Sequence, residues 1–349
     1  MRVTRDLTSD GVLRLVLDGA LVPLAERWVP KEPGGVTAHR AGGARIEVRC
    51  SARPTPRPPS VPTLSLGTVR AWQHERRGVV QLCGALASSG GEVSLGSRVA
   101  RLRVDPASGP SAATDLYSML TISAALLCAG LGRALLHAAA VVAPDGTAWL
   151  LVGDARSGKS TTCANLARGC GGGGWGYLSD DQTVLAATEQ GIMVEGWPRA
   201  FHLDEAWERG EVSGRRRAIE PAAVGIGDRH RLAPLAGILL PVVQRDQPTT
   251  LARVSAGQAL AELVRQSPWL LAHRAVAAAG ITLLSRAALS PAFALTLGLD
   301  TYGDPAHLRA LVTTAGSARP PASRGSVPGL PLEPRAPARP ESARLATAP

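Results

Sequence analysis

The sequence predicts an α/β protein with a β-rich front, a mixed-sheet core and a tail that builds no core. Three observations carry this: an apolar strand, glycine loop and helix at mid-chain, a series of short alternating segments before it, and a hydrophobe-poor stretch after it. The central stretch is Trp149–Leu185, WLLVGDARSGKSTTCANLARGCGGGGWGYLSDDQTVL. It contains Gly153-Asp154-Ala155-Arg156-Ser157-Gly158-Lys159-Ser160, in the spacing G-x-x-x-x-G-K-[ST] of a phosphate-binding loop (P-loop). Thr147–Val152 before it reads as a buried strand. Ser160–Arg168 after it reads as a helix ended by Gly169.

At 349 residues the chain exceeds a usual single domain. Three parts are expected: a β-rich region over 1–112, the P-loop domain over 113–315, and a disordered Pro/Ala/Arg-rich tail over 316–349. Hydrophobic residues make up 45% but aromatics only 3%, so alanine, leucine and valine must fill the core. The net charge of +10 is almost all arginine and is dispersed, without the aromatic interleaving of single-strand binders. Nucleic acid is therefore not an expected partner, and self-association stays open. The five cysteines show no C-x-x-C spacing, which implies neither a disulfide framework nor a zinc site and fits a reducing compartment. The start MRVTRDLTSD lacks an apolar signal core, and Met119–Leu131 is too short to span a bilayer. The expectation is a cytoplasmic protein with no membrane partner.

In chain order, Val12–Leu17, Ala44–Val48, Gly67–Trp72, Gly78–Leu82 and Val99–Val104 read as strands, separated by breaks such as Pro54–Pro62 and Ser88–Gly91. His39 and His74 are expected at the surface. Asp115–Arg133 reads as a helix through Leu116, Leu120, Ala124 and Leu127, and Leu135–Val142 as a strand carrying His137.

The loop's chemistry follows from its residue types. Gly153 and Gly158 permit tight turning, so successive N–H groups face a phosphate, and the helix N-terminus adds to that anion trap. The expected nucleotide contacts are Gly153, Asp154, Ala155, Arg156, Ser157, Gly158, Lys159, Ser160 and Thr161. Lysine occurs only at Lys31 and Lys159 in this arginine-rich chain, and at Lys159 the loop calls for a compact ammonium. It would sit between the β- and γ-phosphates of ATP, while the Ser160 hydroxyl completes a Mg²⁺ shell. Asp180-Asp181 then ends the short strand Gly176–Ser179. Alternation along a strand lets one carboxylate reach the metal and the other face an incoming hydroxyl; an ordinary solvated turn is the alternative.

Further on, Ile192–Val194 reads as a strand, with Glu195, Trp197 and Arg199 in a turn after it. Arg199 is open between neutralising a phosphate and ordinary surface charge. Gly214–Arg217 reads as a basic turn. Ala236–Val243 reads as a strand that Pro241 marks as an edge. Ser255-Ala256-Gly257-Gln258 is a capping box opening a helix over Ala256–Arg265. Ala272–Ala288 reads as a helix, Phe293–Leu299 as a closing strand and Pro305–Thr313 as a last helix.

Four features together resemble the HPr kinase/phosphorylase and phosphoenolpyruvate carboxykinase group: Leu136-His137-Ala138-Ala139-Ala140-Val141, the loop Gly153–Ser160, the Asp180-Asp181 pair about twenty residues on, and Gly196-Trp197-Pro198. The resemblance covers roughly Leu116 to Leu311. It implies a mixed-sheet kinase core of that type, with ATP and Mg²⁺ as cofactors and transfer to a hydroxyl, that of a serine on a small protein or peptide. It further implies Asp180 as the base toward the acceptor, Asp181 beside Ser160 as the metal partner, and His137 near the γ-phosphate or metal. A hydrogen-bonded core histidine is the alternative for His137. Glu208-Arg209-Gly210 only faintly echoes the family's Glu-Ile-Arg-Gly-type loop, so neither HPr itself nor reverse phosphorolysis is implied. Two other functions fit the same residues: an ATP-binding regulatory or assembly module without transfer, and a small-molecule kinase.

Overall fold

The computed structural model describes residues 1–26, 28, 42–74, 78–169, 174–197, 199–209, 211, 213–227, 229–303 and 305–317. Lys31, His39, Cys170, Pro198, Gly210 and the tail from residue 318 lie outside them. The fold is mixed α/β, built on two mixed sheets that share helix α2.

The first sheet comprises β1 (Arg2–Asp6), β2 (Leu13–Asp18), β3 (Ala44–Cys50), β4 (Leu64–Leu66), β5 (Val69–His74), β6 (Val79–Gly84), β7 (Gly90–Ser94) and β8 (Val99–Val104), with a short helix α1 (Val22–Ala25) after β2. Its order is β1-β2-β3-β8-β7-β6-β5-β4. Period-2 alternation decides the faces: Leu13, Leu15 and Leu17, Ile46 and Val48, and Leu102 and Val104 all turn inward. β7 occupies part of what reads as a break at Ser88–Gly91. The reason is close packing: a Cβ at Gly91 would lie 2.1 Å from the Arg101 carbonyl oxygen, so only glycine fits the ladder there.

α2 (Gly109–Gly130) starts six residues before the expected Asp115. Pro110 is tolerated because the first helical turn needs no N–H from it. Asp115 is buried inside the helix and accepts the Ala87 N–H at 2.9 Å, pinning α2 to the loop after β6. The helical stretch 106–130 is, by length and composition, long and apolar enough to cross a membrane, but 72% of its most apolar window is buried inside the protein, as the reading of Met119–Leu131 as a non-spanning run expects.

The second sheet is built from β9 (Arg133–Leu136), β10 (Ala138–Val142), β11 (Ala148–Val152), β12 (Gly176–Ser179), β13 (Thr183–Thr188), β14 (Gly191–Gly196), β17 (Leu232–Val243), β18 (Thr250–Arg253) and β19 (Ala292–Leu297). Helices α3 (Lys159–Ala167), α4 (Ala256–Arg265), α5 (Arg274–Ala287), α6 (Asp300–Gly303) and α7 (Pro305–Ser317) pack around it, and β15 (Phe201–Asp204) and β16 (Arg216–Ile219) form a separate hairpin. Strand order is β12-β10-β11-β17-β14-β13-β9, with β19 joining β17 and β18 joining β19.

Several expectations change. The single strand Leu135–Val142 is two: β9 pairs with β13 and β10 with β11 and β12, and His137 at the joint donates its N–H to the Gln266 carbonyl at 3.0 Å. Pro241 does not mark an edge strand. β17 is central, and its pairing with β11 stops at Leu239, so the missing N–H interrupts no ladder. Glu195 lies within β14, buried against Arg133 and the Ser9 N–H, rather than in a turn. Arg216 and Arg217 pair with β15 instead of forming a turn. The last helix reaches Ser317, so Gly316 belongs to it rather than to the tail.

Candidate active site

β11 and β12 are both antiparallel to β10, which lies between them, so their ends point the same way. The chain leaves β11 at Gly153, turns through the glycine loop and enters α3 at Lys159. Two loop residues have left-handed backbones, Arg156 at φ 68° and Gly158 at φ 101°. A Cβ at Gly158 would also lie 2.7 Å from Leu297 Cδ1, so that glycine is needed twice over. Lys159 is buried and donates to the carbonyls of Gly153 (2.6 Å) and Asp154 (2.8 Å). Burial lowers its pKa, against the opposing pull of Asp181 and Asp180. The Asp154 carboxylate turns away to Gln266 Nε2 at 2.9 Å and to Arg265, which ties the loop to the end of α4. Ser157 Oγ is buried without a partner.

At the end of β12 the two aspartates part. Ser160 Oγ donates to Asp180 Oδ1 at 2.8 Å. Asp181 sits at φ 71° in a three-residue turn closed by Gln182 N–H to the Asp180 carbonyl (2.9 Å), which sends its side chain elsewhere. There it meets Arg199 Nη1 at 2.9 Å, His137 Nδ1 at 3.2 Å, and the Tyr117 hydroxyl. Ser160 therefore stands with Asp180, while the Asp181 side chain lies with Arg199, His137 and Tyr117.

Electrostatics separate the pair further. Burial, then the Asp181 charge, push the Asp180 carboxyl up to about 6, despite Ser160, Lys159 and Arg199. Burial would raise Asp181 too, but the His137 hydrogen bond, the Arg199 charge and the Tyr117 hydrogen bond together hold it far below the usual carboxylate range.

One cleft of about 700 Å³ collects these groups. His137, Ala155, Arg156, Gly158, Lys159, Ser160, Thr161, Asp180 and Asp181 line it. Gly153, Asp154 and Ser157 belong to the loop behind that lining. The facing wall comes from the β15–β16 hairpin, with His202, Asp204 and Arg216, joined by Trp207 and Arg245. Asp204 spends its charge inside the hairpin, accepting from the N–H groups of Ala206, Ser213 and Gly214, and those bonds lower its pKa to about 2. Among the described residues, no group of three or more His, Cys, Asp or Glu side chains forms a metal cage. A Mg²⁺ shared with nucleotide phosphates needs only one or two carboxylates.

No protein-family model matches the chain, and neither does any curated protein. Among solved structures it is similar to the HPr(Ser) kinase/phosphatase from Coxiella burnetii, with 12% identity and a TM-score of 0.30, over 52% of this chain and 94% of that one. The roles of individual side chains rest on this chain's own geometry.

Two cleft residues escape a reading by motif. Arg199 is 7% exposed, although surface charge fits an arginine of this chain equally well from sequence. Tyr117 lies in a helix that reads only as apolar. Scarcity is the signal that points to Tyr117, and its contacts lead on to Arg199. The chain has three tyrosines; the Tyr117 ring lies under the Arg199 guanidinium at 5.4 Å, and the Tyr177 hydroxyl donates to the Arg199 carbonyl at 2.9 Å.

Proposed function

We propose that the protein is an ATP- and Mg²⁺-dependent phosphotransferase acting on a hydroxyl, with a serine of a small protein or peptide as acceptor. The observation that carries this reading is the 2.8 Å contact of Ser160 with buried Asp180, beside Lys159 and with Asp181 on a separate network in the same cleft. A hydroxyl and a buried carboxylate whose pKa is pushed upward fit a divalent cation, because that cation would supply the positive charge Asp180 lacks. The unpartnered Ser157 hydroxyl and the glycine-only position 158 fit a phosphate group against the loop.

When bound, the magnesium–nucleotide would supply the electrophilic γ-phosphorus. The chain's own residues bind and orient. Lys159 neutralises phosphate charge, and Ser160 and Asp180 hold the cation. Asp181 orients the acceptor hydroxyl and receives its proton, with Arg199, His137 and Tyr117 fixing its carboxylate. Phosphoryl transfer asks more of positioning than of basicity, so a carboxylate of low pKa suffices. In this reading the two aspartates exchange the roles that the family resemblance implies.

The test is single-turnover transfer from γ-labelled ATP to a serine-peptide array, beside Lys159→Ala. Label on peptide that disappears in the variant supports the reading. ATP binding with no transfer to any hydroxyl favours the second reading, an ATP-binding module, for which the full engagement of Asp181 by three donors is the supporting observation.

A further inference from the structure

We propose that the outward face of the N-terminal sheet is a docking groove for an extended acidic peptide segment of a partner protein. A cavity of about 580 Å³ crosses this face from β3 to β6, remote in sequence from the glycine loop. One end is closed by the segment 51–63, which lies flat on the sheet. Gln81 Nε2 donates to the Pro56 carbonyl at 2.7 Å and Trp72 Nε1 to the Ser60 carbonyl at 2.8 Å. Glycine at position 90 makes room for it, since a Cβ there would lie 2.5 Å from Thr55 Oγ1. That hydroxyl is buried at the closed end without a partner.

The charge pattern selects the occupant. Arg101 stands opposite Glu47 on one neighbouring strand and Glu92 on the other, so its surroundings are balanced. Arg103 stands opposite Arg49 and Gly90. Glu47 already holds Arg45 at 2.8 Å and lies 3.6 Å from Arg49, and no described residue forms an ion pair with Arg103. Like charges directly opposed on a sheet repel, so a carboxylate arriving between Arg49 and Arg103 gains from both. Arg101, roughly 6.7 Å from Arg103 along the strand, keeps its two glutamates, so the incoming carboxylate is taken by the Arg49–Arg103 pair. The interleaved Glu47 and Glu92 disfavour a uniformly charged nucleic-acid backbone. The two long stretches of this chain outside the described residues are also the wrong sign: 29–41 carries one lysine and one arginine against one glutamate, and 318–349 five arginines against two glutamates.

Fluorescence anisotropy of the full chain with three labelled probes tests this: a peptide with glutamate at alternate positions, its glutamine counterpart, and an oligothymidylate of equal length. The acidic peptide should bind at least tenfold more tightly than either control, and its affinity should fall with added salt. Arg103→Glu should lose at least tenfold of that affinity while keeping the melting temperature, since the new carboxylate faces Arg49. The neutral double variant Arg49→Gln/Arg103→Gln should lose affinity too. Unchanged peptide affinity in both variants, equal binding of the glutamine peptide, or tighter binding of the oligothymidylate would each overturn the proposal.

Discussion

Burial and the neighbouring Asp181 charge raise the Asp180 carboxyl from 3.8 to about 6, which makes the candidate metal ligand a cost to the fold. The folded state holds the Asp180 proton to higher pH than the unfolded state, so this group's contribution to stability falls as pH rises from about 4 to about 6. A shift of two units corresponds to about 3 kcal/mol. Asp180→Asn should therefore raise the ligand-free stability at pH 7.5 by about 1–3 kcal/mol and flatten its pH dependence, as read by urea melts at pH 4.5 and 7.5. An unchanged midpoint at both pH values would contradict this. Asp181 runs the other way. Its pKa is depressed, so its stabilisation is present at neutral pH and lost as pH falls below the ordinary carboxylate range. Asp181→Asn leaves the Arg199 guanidinium buried without its anion. The loss should be about 2 kcal/mol, less than for a fully buried pair, because the Asp181 side chain is 31% exposed.

At the scale of elements, what the sequence states locally could be read from it, and what depends on a partner strand could not. β11, the glycine loop and α3 follow from five to nine consecutive residues each. The capping box at Ser255 appears as expected, with the Ser255 hydroxyl accepting the Gln258 N–H at 3.2 Å. The break at His137 is hidden because Leu135–Val142 is apolar on both sides of it, and distant groups hold the joint: the Gln266 carbonyl accepts the His137 N–H and Trp269 Nε1 donates to the Leu135 carbonyl at 2.9 Å. The separation of Asp180 from Asp181 was hidden for a similar reason: it depends on the φ of a single residue, which no pattern of residue types encodes. Gly158 belongs to the legible part and gives a direct test. Gly158→Ala requires a strained backbone and places a methyl 2.7 Å from Leu297 Cδ1. It should destabilise the protein by about 1–3 kcal/mol and weaken nucleotide binding, as read by thermal melts with and without ATP. Wild-type behaviour in both would mean the loop is more plastic than its packing implies.

The whole molecule is joined by contacts that no single segment announces. Arg133 at the start of β9 bridges Asp10, from the loop between β1 and β2, and Glu195 in β14 at 3.0 Å. Trp28 meets Trp197 edge-on, with ring centroids 4.8 Å apart. Arg133→Met should cost about 3–5 kcal/mol, because it leaves buried Glu195 without its cation; a loss under 1 kcal/mol would show that the first hairpin is not clamped to the core. At the other end, α7 buries Leu308 and Val312, and Arg309 holds the Leu166 carbonyl of α3 at 2.9 Å. Truncation after Ser317 should leave the melting temperature unchanged, whereas truncation before Pro305 should lower it and loosen α3. Equal effects of the two truncations would contradict that division.

The central claim is that one cleft binds Mg·ATP through Lys159, Ser160 and Asp180 while Asp181 serves the acceptor. Calorimetric titration of Mg·ATP into Asp180→Asn and Asp181→Asn, with transfer rates to an acceptor peptide for both, tests it most directly. The account predicts that Asp180→Asn loses at least tenfold in Mg²⁺-dependent ATP affinity, and that Asp181→Asn keeps its affinity within about threefold while transfer falls by at least a hundredfold. The opposite pattern, with affinity lost in Asp181→Asn and kept in Asp180→Asn, would contradict it.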